Sequence, residues 1–439
     1  MLSHNLLLTG DDGYNLTKSL RFRSSASAYL NRTPASAGNR KTWTWSAWVK
    51  RGSQTEQMLF GCGVSGSDDS TYTYISFGGT NYDKIYVNGY TQTWRQTTQV
   101  FRDFSSWYHI IVAVDTTQAT ANNRIRLYVN GVEATSFTTL NNPSQNTDLS
   151  VNRNASHTIS SRVGYGSDSY FDGYMAEVNF IDGQALTPSS FGSTNALTGV
   201  WQPAKYTGTY GTNGFYLPFT NTTSTSTLGN DFSGNSNTWT VNNISLTTGS
   251  TYDSMNDVPT LTSATAANYC VLNPLNSNGT LSGGNLNYSM GNTKTVATMA
   301  MTAGKFYAEV TINSASNREF IIGIGKVNSS FNLFSSGVGY YANDGTKYVD
   351  GTNSSYGATY TAGDVLGIAV NFDSSQVTFY KNNTSQGAIT FSASTEGYTF
   401  VLQAASGATS ATFSANFGQQ PFTYTPPTGF VALNTFNLP

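Results

Sequence analysis

Along most of this chain apolar residues recur at every second position, and amphipathic runs with a helical period are almost absent. A period of two belongs to the β-strand, whose successive side chains point to opposite faces. In KTWTWSAWVKRG (41–52), Trp43, Trp45, Ala47 and Val49 fall on one face and Thr42, Thr44, Ser46, Trp48 and Lys50 on the other. The stretch reads as a half-buried strand with Trp43 and Trp45 in the core. Trp48 stands alone on the polar side, where the connector described below or another subunit is expected to cover it. Composition agrees with strands and turns: aromatic residues reach 13%, charged residues only 10%, and Gly, Ser, Thr and Asn dominate the rest. The expected fold class is all-β, with two antiparallel β-sandwich (jelly-roll) domains in tandem joined by an irregular, mostly ordered connector.

At 439 residues the chain is too long for one ordinary core. Residues 1–195 read as strand after strand. Asn-Gly pairs in KIYVNGYT (84–91) and NRIRLYVNGVEAT (123–135) predict hairpins. SSWYHIIVAVD (105–115) is continuously apolar, as a central strand would be. Residues 196–290 are rich in Asn, Thr, Ser and Gly, a composition that builds cores poorly. Trp201, GFYLPF (214–219), Trp239 and Tyr269 are nevertheless anchors that a free linker would not need. The segment is read as a connector pinned onto its neighbours. Residues 291–439 form a second β domain, clearest in GDVLGIAVNFDSSQVTFYKNNTSQGAITF (363–391), where Leu366, Ile368, Val370 and Phe372 share a face.

Several function classes lack their signature. The net charge is −2 without clustered Lys or Arg, so no nucleic-acid footprint is visible. Nothing is apolar for long enough to insert into a membrane, and the first residues lack a signal-peptide pattern, which suggests synthesis and folding in a cytoplasm. Cys62 and Cys270 offer neither a disulfide framework nor metal-ligand spacing. The histidines, His4, His109 and His157, form no metal constellation, and His109 suits a packed structural role.

TWTWSAWVKRG, WYHIIVAVD, IRLYVNGVEA and FDGYMAEVNFIDGQAL, in that order, make residues 16–195 resemble a laminin-G/pentraxin-type domain of the concanavalin A-like superfamily. GKFYAEVTI, IIGIGK, GVGYYANDGTKYVDG, the long block from Tyr356 to Gly387 and FSANFGQ make residues 300–418 resemble a SPRY domain. The tandem arrangement is similar to structural proteins of bacteriophages, marine and cyanobacterial ones especially. That resemblance implies a virion location after assembly in the host cytoplasm, and a fibre or appendage subunit attaching to a host-surface glycan. The alternative is a capsid decoration or tail structural protein that binds other virion proteins. Self-association is expected, with a homotrimer guessed by analogy to fibres.

Concanavalin A-like folds include glycoside hydrolases, which generally need two carboxylates flanking one bond. None of the six glutamates has a second acid two residues away on the same strand face; Glu177 comes nearest, with Asn179 where the partner would sit. The chain is therefore read as non-enzymatic. By resemblance to pentraxins, calcium is the one cofactor to consider. Asp168 is the best match, with Asp68 and Asp69 on a neighbouring loop, against the plainer reading of solvated turn acids. Glycan contacts are sought at Tyr82, Tyr90 and Trp94 near hairpin ends. The SPRY resemblance places partner contacts at Tyr340, Tyr341, Asn343, Asp344, Tyr348 and Asp350.

Overall fold

The structure, a computed structural model, describes residues 14–64, 66, 68–162, 169–291, 294–327, 329–392, 394–408 and 410–439. The described residues are all-β, their helical content limited to single 3₁₀ turns such as Ser24–Ala26 and Pro188–Ser190. The chain divides into two compact units, one comprising residues up to Leu246 with Asp253–Thr262, the other Thr247–Tyr252 with Ser263–Pro439.

The first unit is a sandwich of two antiparallel sheets. Sheet 1 runs Val132–Glu133, Ile125–Val129, Trp107–Asp115, Thr42–Arg51, Gly173–Asp182, Ser19–Phe22, Ser254–Met255, with Phe215–Leu217 also paired to Gly173–Asp182. Sheet 2 runs Phe137–Leu140, Thr93–Thr97, Lys84–Gly89, Tyr72–Gly78, Gln57–Gly63, His157–Ile159, Tyr29–Arg32, Thr240–Asn242. Trp43, Trp45, Phe60, Ile75, Val87 and Val112 fill the space between them, and the Trp45 and Phe60 rings stack at 5.8 Å. The apolar strand Trp107–Asp115 is interior, as its sequence predicts.

The tryptophan strand differs from its expected half-burial, because its polar face is covered too. The Thr44 hydroxyl donates to the Gln184 carbonyl at 2.7 Å and accepts from the Leu186 N–H at 2.8 Å. Ile111, Ile181, Phe191 and Tyr206 build a second small core on that side. Trp48 stacks on His109 at 4.7 Å, and the Trp201 indole N–H donates to His109 Nδ1 at 2.9 Å. Trp48 is thus covered by His109, whose ring lies between it and this chain's own Trp201. Since Nδ1 accepts, Nε2 carries the hydrogen and donates to the Ser46 hydroxyl at 2.8 Å. Burial pushes the His109 pKa down to about 3, so the ring stays neutral and structural.

Residues 196–290 do not form a separate connector, and this redraws the expected division. Phe215–Leu217 and Thr240–Asn242 are strands of the first unit, and Trp239 packs edge-on against Phe215 at 4.8 Å. Charge fixes what few apolar residues could not. Asp253 accepts from Arg21 at 3.0 Å and Arg23 at 2.8 Å; Asp257 accepts from Lys50 at 2.8 Å and the Trp107 indole at 3.0 Å. Arg21, Lys50 and both aspartates are fully buried. Ions taken out of water must be paired, so Ser254–Met255 is bound to the edge of sheet 1 by residues that composition would call soluble.

The Asn130-Gly131 pair makes the expected turn, both residues having positive φ (48° and 81°). The other pair does not: Asn88 and Gly89 remain in strand and the chain turns at Tyr90 and Thr91, where the Gly89 N–H meets the Gln92 carbonyl. Gly89 is required for space, since a Cβ there would lie 2.3 Å from the Trp94 ring.

The second unit is also a sandwich. Sheet 3 runs Leu272–Ser277, Lys294–Ala297, Tyr398–Ala404, Phe320–Lys326, Val338–Tyr341, Thr346–Val349, Thr352–Ser355. Sheet 4 runs Thr280–Ser282, Asn287–Met290, Ala411–Asn416, Lys305–Ala315, Val365–Asn371, Gln376–Lys381, Thr384–Thr390. The buried Glu309 carboxylate accepts the N–H groups of Thr423 (2.7 Å) and Tyr424 (2.8 Å) and the Tyr307 hydroxyl (3.1 Å), fastening the last segment to sheet 4.

Candidate functional site

The strand Tyr72–Gly78 turns Ile75 and Phe77 into the core and leaves Tyr72, Tyr74 and Ser76 on the outer face of sheet 2. Its neighbour Lys84–Gly89 does the same, burying Ile85 and Val87 while Tyr86 and Asn88 face outward. At the end where Lys84–Gly89 turns into Thr93–Thr97, these outward groups border an open cleft of about 410 Å³. Tyr72, Asn88, Tyr90, Gln92 and Thr93 line it, with Glu56 and Arg162 on the far side.

The cleft is polar and pre-positioned. The Thr93 hydroxyl donates to Asn88 Oδ1 at 2.8 Å, which orients that amide. Arg162 hydrogen-bonds Tyr72 and stands 3.8 Å from the Glu56 carboxylate. Burial raises the Tyr72 phenol pKa above its usual value, so the hydroxyl keeps its proton at neutral pH. Tyr90 is 40% exposed and its turn is held from below: Asp69 accepts the Thr91 N–H at 3.1 Å and the Thr91 hydroxyl at 3.0 Å. A half-exposed aromatic ring beside fixed amide, hydroxyl, guanidinium and carboxylate groups suits a polyhydroxylated ring, which offers an apolar face and a rim of hydroxyls.

The expected site residues scatter. Trp94 is fully buried beneath Gly89 and belongs to the core, a correction to its reading as a contact. Tyr82 is 40% exposed but lies at the other end of Lys84–Gly89 from Tyr90. At about 3.3 Å per residue the strand between them is roughly 20 Å long, so the structure does not join them. Asp68 accepts from Ser70 (2.8 Å to the N–H, 2.6 Å to the hydroxyl), and these bonds hold its pKa below the usual carboxylate range. Asp68 thus serves its own turn and Asp69 the turn at Tyr90 and Thr91; Asp168 lies outside the described residues. Among the described residues no group of three or more His, Cys, Asp or Glu is placed to hold a metal ion.

In the second unit Tyr340 is buried against Tyr356, Tyr360 and Phe379, and its hydroxyl donates to the Ala358 carbonyl. It is a core residue, which corrects its reading as a partner contact. Tyr341 and Tyr348 do come together, on adjacent strands, each edge-on to Phe334 at 5.7 and 4.9 Å. Glu319 accepts from the Tyr341 hydroxyl and from Asn343 Nδ2, the latter at 2.7 Å, so three half-buried side chains form one outward cluster. Asp344 closes its own turn onto Thr346, and Asp350 accepts from Lys326 at 2.7 Å and the Gly337 N–H at 2.9 Å. Burial works against the Asp350 charge, but these bonds prevail and lower its pKa.

Sequence reasoning missed Glu56, Tyr72, Asn88 and Arg162 in the cleft, and Glu319 and Phe334 in the cluster. The alternation of TYTYISF carried a usable signal, since it sets Tyr72 and Tyr74 on the face opposite Ile75 and Phe77.

Comparison with known families agrees with the two β-sandwich folds. Residues 24–190 match the Concanavalin A-like lectin/glucanases superfamily, and residues 305–420 match the SPRY domain. The chain carries a domain of each kind. A Ran-binding proteins 9/10 homolog of Drosophila melanogaster is 30% identical over 138 residues, which is 30% of this chain and 14% of that protein. Ran-binding protein 9 of Xenopus tropicalis is 34% identical over 128 residues, 28% of this chain and 23% of the relative. The matched region thus spans less than a quarter of either relative. A human SPRY domain structure is 20% identical, covering 30% of this chain and 91% of its own at a TM-score of 0.26. A candidate carbohydrate binding protein from Bacteroides ovatus is 18% identical, covering 52% of this chain and 59% of its own at a TM-score of 0.36.

Proposed function

We propose that this chain is a non-enzymatic attachment protein whose first unit binds a glycan and whose second unit binds a protein partner. The observation that carries the reading is the cleft at Tyr90, where an exposed ring, Asn88, Gln92, Thr93, Glu56 and Arg162 converge on one open concavity. Its match to a superfamily described by lectins and glucanases supports a sugar ligand. Glu56 is the one acid lining the cleft among the described residues, and hydrolysis would call for two, so binding is favoured over cleavage. The match to SPRY, and relatives named for Ran binding, support a protein partner, and the Tyr341–Tyr348–Glu319 cluster offers it half-exposed rings around a carboxylate.

The setting proposed for this activity is a phage virion, as a fibre or appendage subunit built from several copies, where multivalency multiplies weak contacts by about 10² to 10⁴. The relatives named above are animal proteins, so this setting rests on the resemblance of the tandem sequence to phage proteins. A decoration or tail protein bound to other virion proteins is the second reading, favoured by the SPRY-type unit. Glycan-array binding of the purified chain, with and without EDTA, tests the proposal. Saturable binding supports attachment, and its loss with EDTA assigns calcium a part. Silence on every glycan from folded protein removes the glycan reading and leaves the structural one.

A further inference from the structure

One carboxyl group in the first unit takes no part in the cleft and is built with unusual care. Glu177 sits where Gly173–Asp182 bulges between Ala176 and Asn179, in the left-handed region at φ 53°, a conformation a side chain other than glycine rarely adopts. It is buried, and it faces the side of sheet 1 crossed by later segments. Backbone outliers held in place by their surroundings are frequent where a side chain must be aimed.

What it is aimed at is a ring of three oxygen contacts. The Tyr14 hydroxyl lies 2.6 Å from Glu177 Oε1, the Tyr216 hydroxyl 2.8 Å from Oε2, and the two hydroxyls 2.7 Å from each other. Every one of these distances needs a hydrogen between the oxygens. Two phenols supply two hydrogens. With Glu177 ionised, one pair of oxygens is in contact with nothing between them. With Glu177 protonated, the third hydrogen closes the ring, and each group donates once and accepts once. The ring is therefore complete only in the protonated form.

The surroundings agree. Burial pushes the Glu177 pKa up to about 7, even though the two phenols and Lys205 favour its charge. The other groups facing it are Tyr210, whose hydroxyl donates to Asn179 at 3.0 Å, and Lys18, which is engaged with Asn256 at 2.7 Å. Asp231 lies behind Tyr216 and accepts its N–H at 2.8 Å. A cavity of about 250 Å³ lined by Tyr14, Lys18, Glu177, Lys205 and Tyr216 adjoins the ring and leaves room for it to open.

We propose that the Glu177–Tyr14–Tyr216 ring is a proton-operated clasp: protonated Glu177 fastens the Tyr14 end of residues 14–18 to the bulged strand, and loss of that proton releases it. The segment is tied elsewhere at the Leu16 carbonyl, which accepts from Thr260 and Thr262 at 3.2 and 3.1 Å, so release frees the Tyr14 end rather than the whole segment.

Amide hydrogen exchange of the full chain, corrected for intrinsic rates, reads the clasp directly. Protection near Tyr14 is expected to fall at least tenfold between pH 5.5 and 8.5, in step with the Glu177 carboxyl carbon resonance. Glu177→Gln keeps a neutral group with hydrogens to donate and should hold the clasp shut at both pH values. Tyr14→Phe removes one hydrogen and should loosen it at both. A Glu177 carboxyl that titrates below about pH 5, or a pH response that survives Glu177→Gln, overturns the proposal. If Glu177→Gln does not fold, the carbon titration of the unmodified chain still decides.

Discussion

The two sandwiches are held together in different ways. The first buries ionisable groups: the paired charges of Arg21, Lys50, Asp253 and Asp257 are fully enclosed, neutral His109 lies between two indoles, and Glu177 is shut inside a ring of phenols. Among the described residues of the second, each ion pair keeps water on both partners, Lys305–Asp373, Lys326–Asp350 and Lys381–Asp364 alike. Apart from the Glu309 carboxylate, satisfied by two N–H groups and the Tyr307 hydroxyl, its interior relies instead on aromatic packing such as Tyr340 with Phe379 and Phe391 with Tyr398. The difference follows from what each must cover. The first unit has an extra layer of Asn- and Thr-rich chain to hold against sheet 1, and paired charges can hold a segment too poor in apolar residues to hold itself.

This contrast can be broken by removing one buried charge. Asp257→Ala removes the carboxylate that the buried Lys50 ammonium pairs with and should cost the first unit about 3–5 kcal/mol, leaving the second unchanged. Denaturant unfolding followed by unit-resolved hydrogen exchange would show this; equal losses in both units would mean the charges do not belong to one sandwich.

Acid and base sharpen the contrast next. A carboxyl raised from 4.5 to about 7 favours folding while protonated, so its contribution is complete below pH 4.5 and is lost as pH rises to about 7. At about 1.4 kcal/mol per pH unit the loss is about 3 kcal/mol. His109 and His157, pushed by burial from 6.5 to about 3 and about 4, act oppositely, and their stabilisation fades as pH falls below 6.5. Comparing the unmodified chain with Glu177→Gln cancels the histidines. The stability difference between them should change by about that amount from pH 4.5 to 7, and a flat difference refutes the assignment. In the second unit a milder change suffices: Tyr340→Phe leaves the packing and removes one hydrogen bond to Ala358, costing about 1 kcal/mol by thermal unfolding. A loss several times larger would mean that polar bonds, and not aromatic packing, hold that sandwich.

These examples also mark what was legible in the sequence. Alternation placed Trp43 and Trp45 in the core because a strand's period is local. The role of residues 196–262 was not legible, because it depends on pairs such as Arg21 with Asp253, 232 positions apart. The same reason explains Trp94 and Tyr340. An isolated aromatic in an alternating strand reads as a surface contact until the opposite face is known to be covered. Tyr90 could be found because it follows Asn88-Gly89 and so falls at a turn. Its partners Glu56 and Arg162 come from distant segments and carry no local pattern.

The smallest expected effect on stability accompanies the largest on function. Tyr90 is 40% exposed at the tip of a turn, so Tyr90→Ala should change stability by no more than about 0.5 kcal/mol. Titrating a glycan that binds the unmodified chain against Tyr90→Ala therefore tests the cleft most directly. The account predicts affinity at least tenfold weaker on a folded protein, with the Tyr82→Ala control, at the far end of the same strand, binding normally. Undiminished binding by Tyr90→Ala would contradict it and place the sugar elsewhere on the molecule.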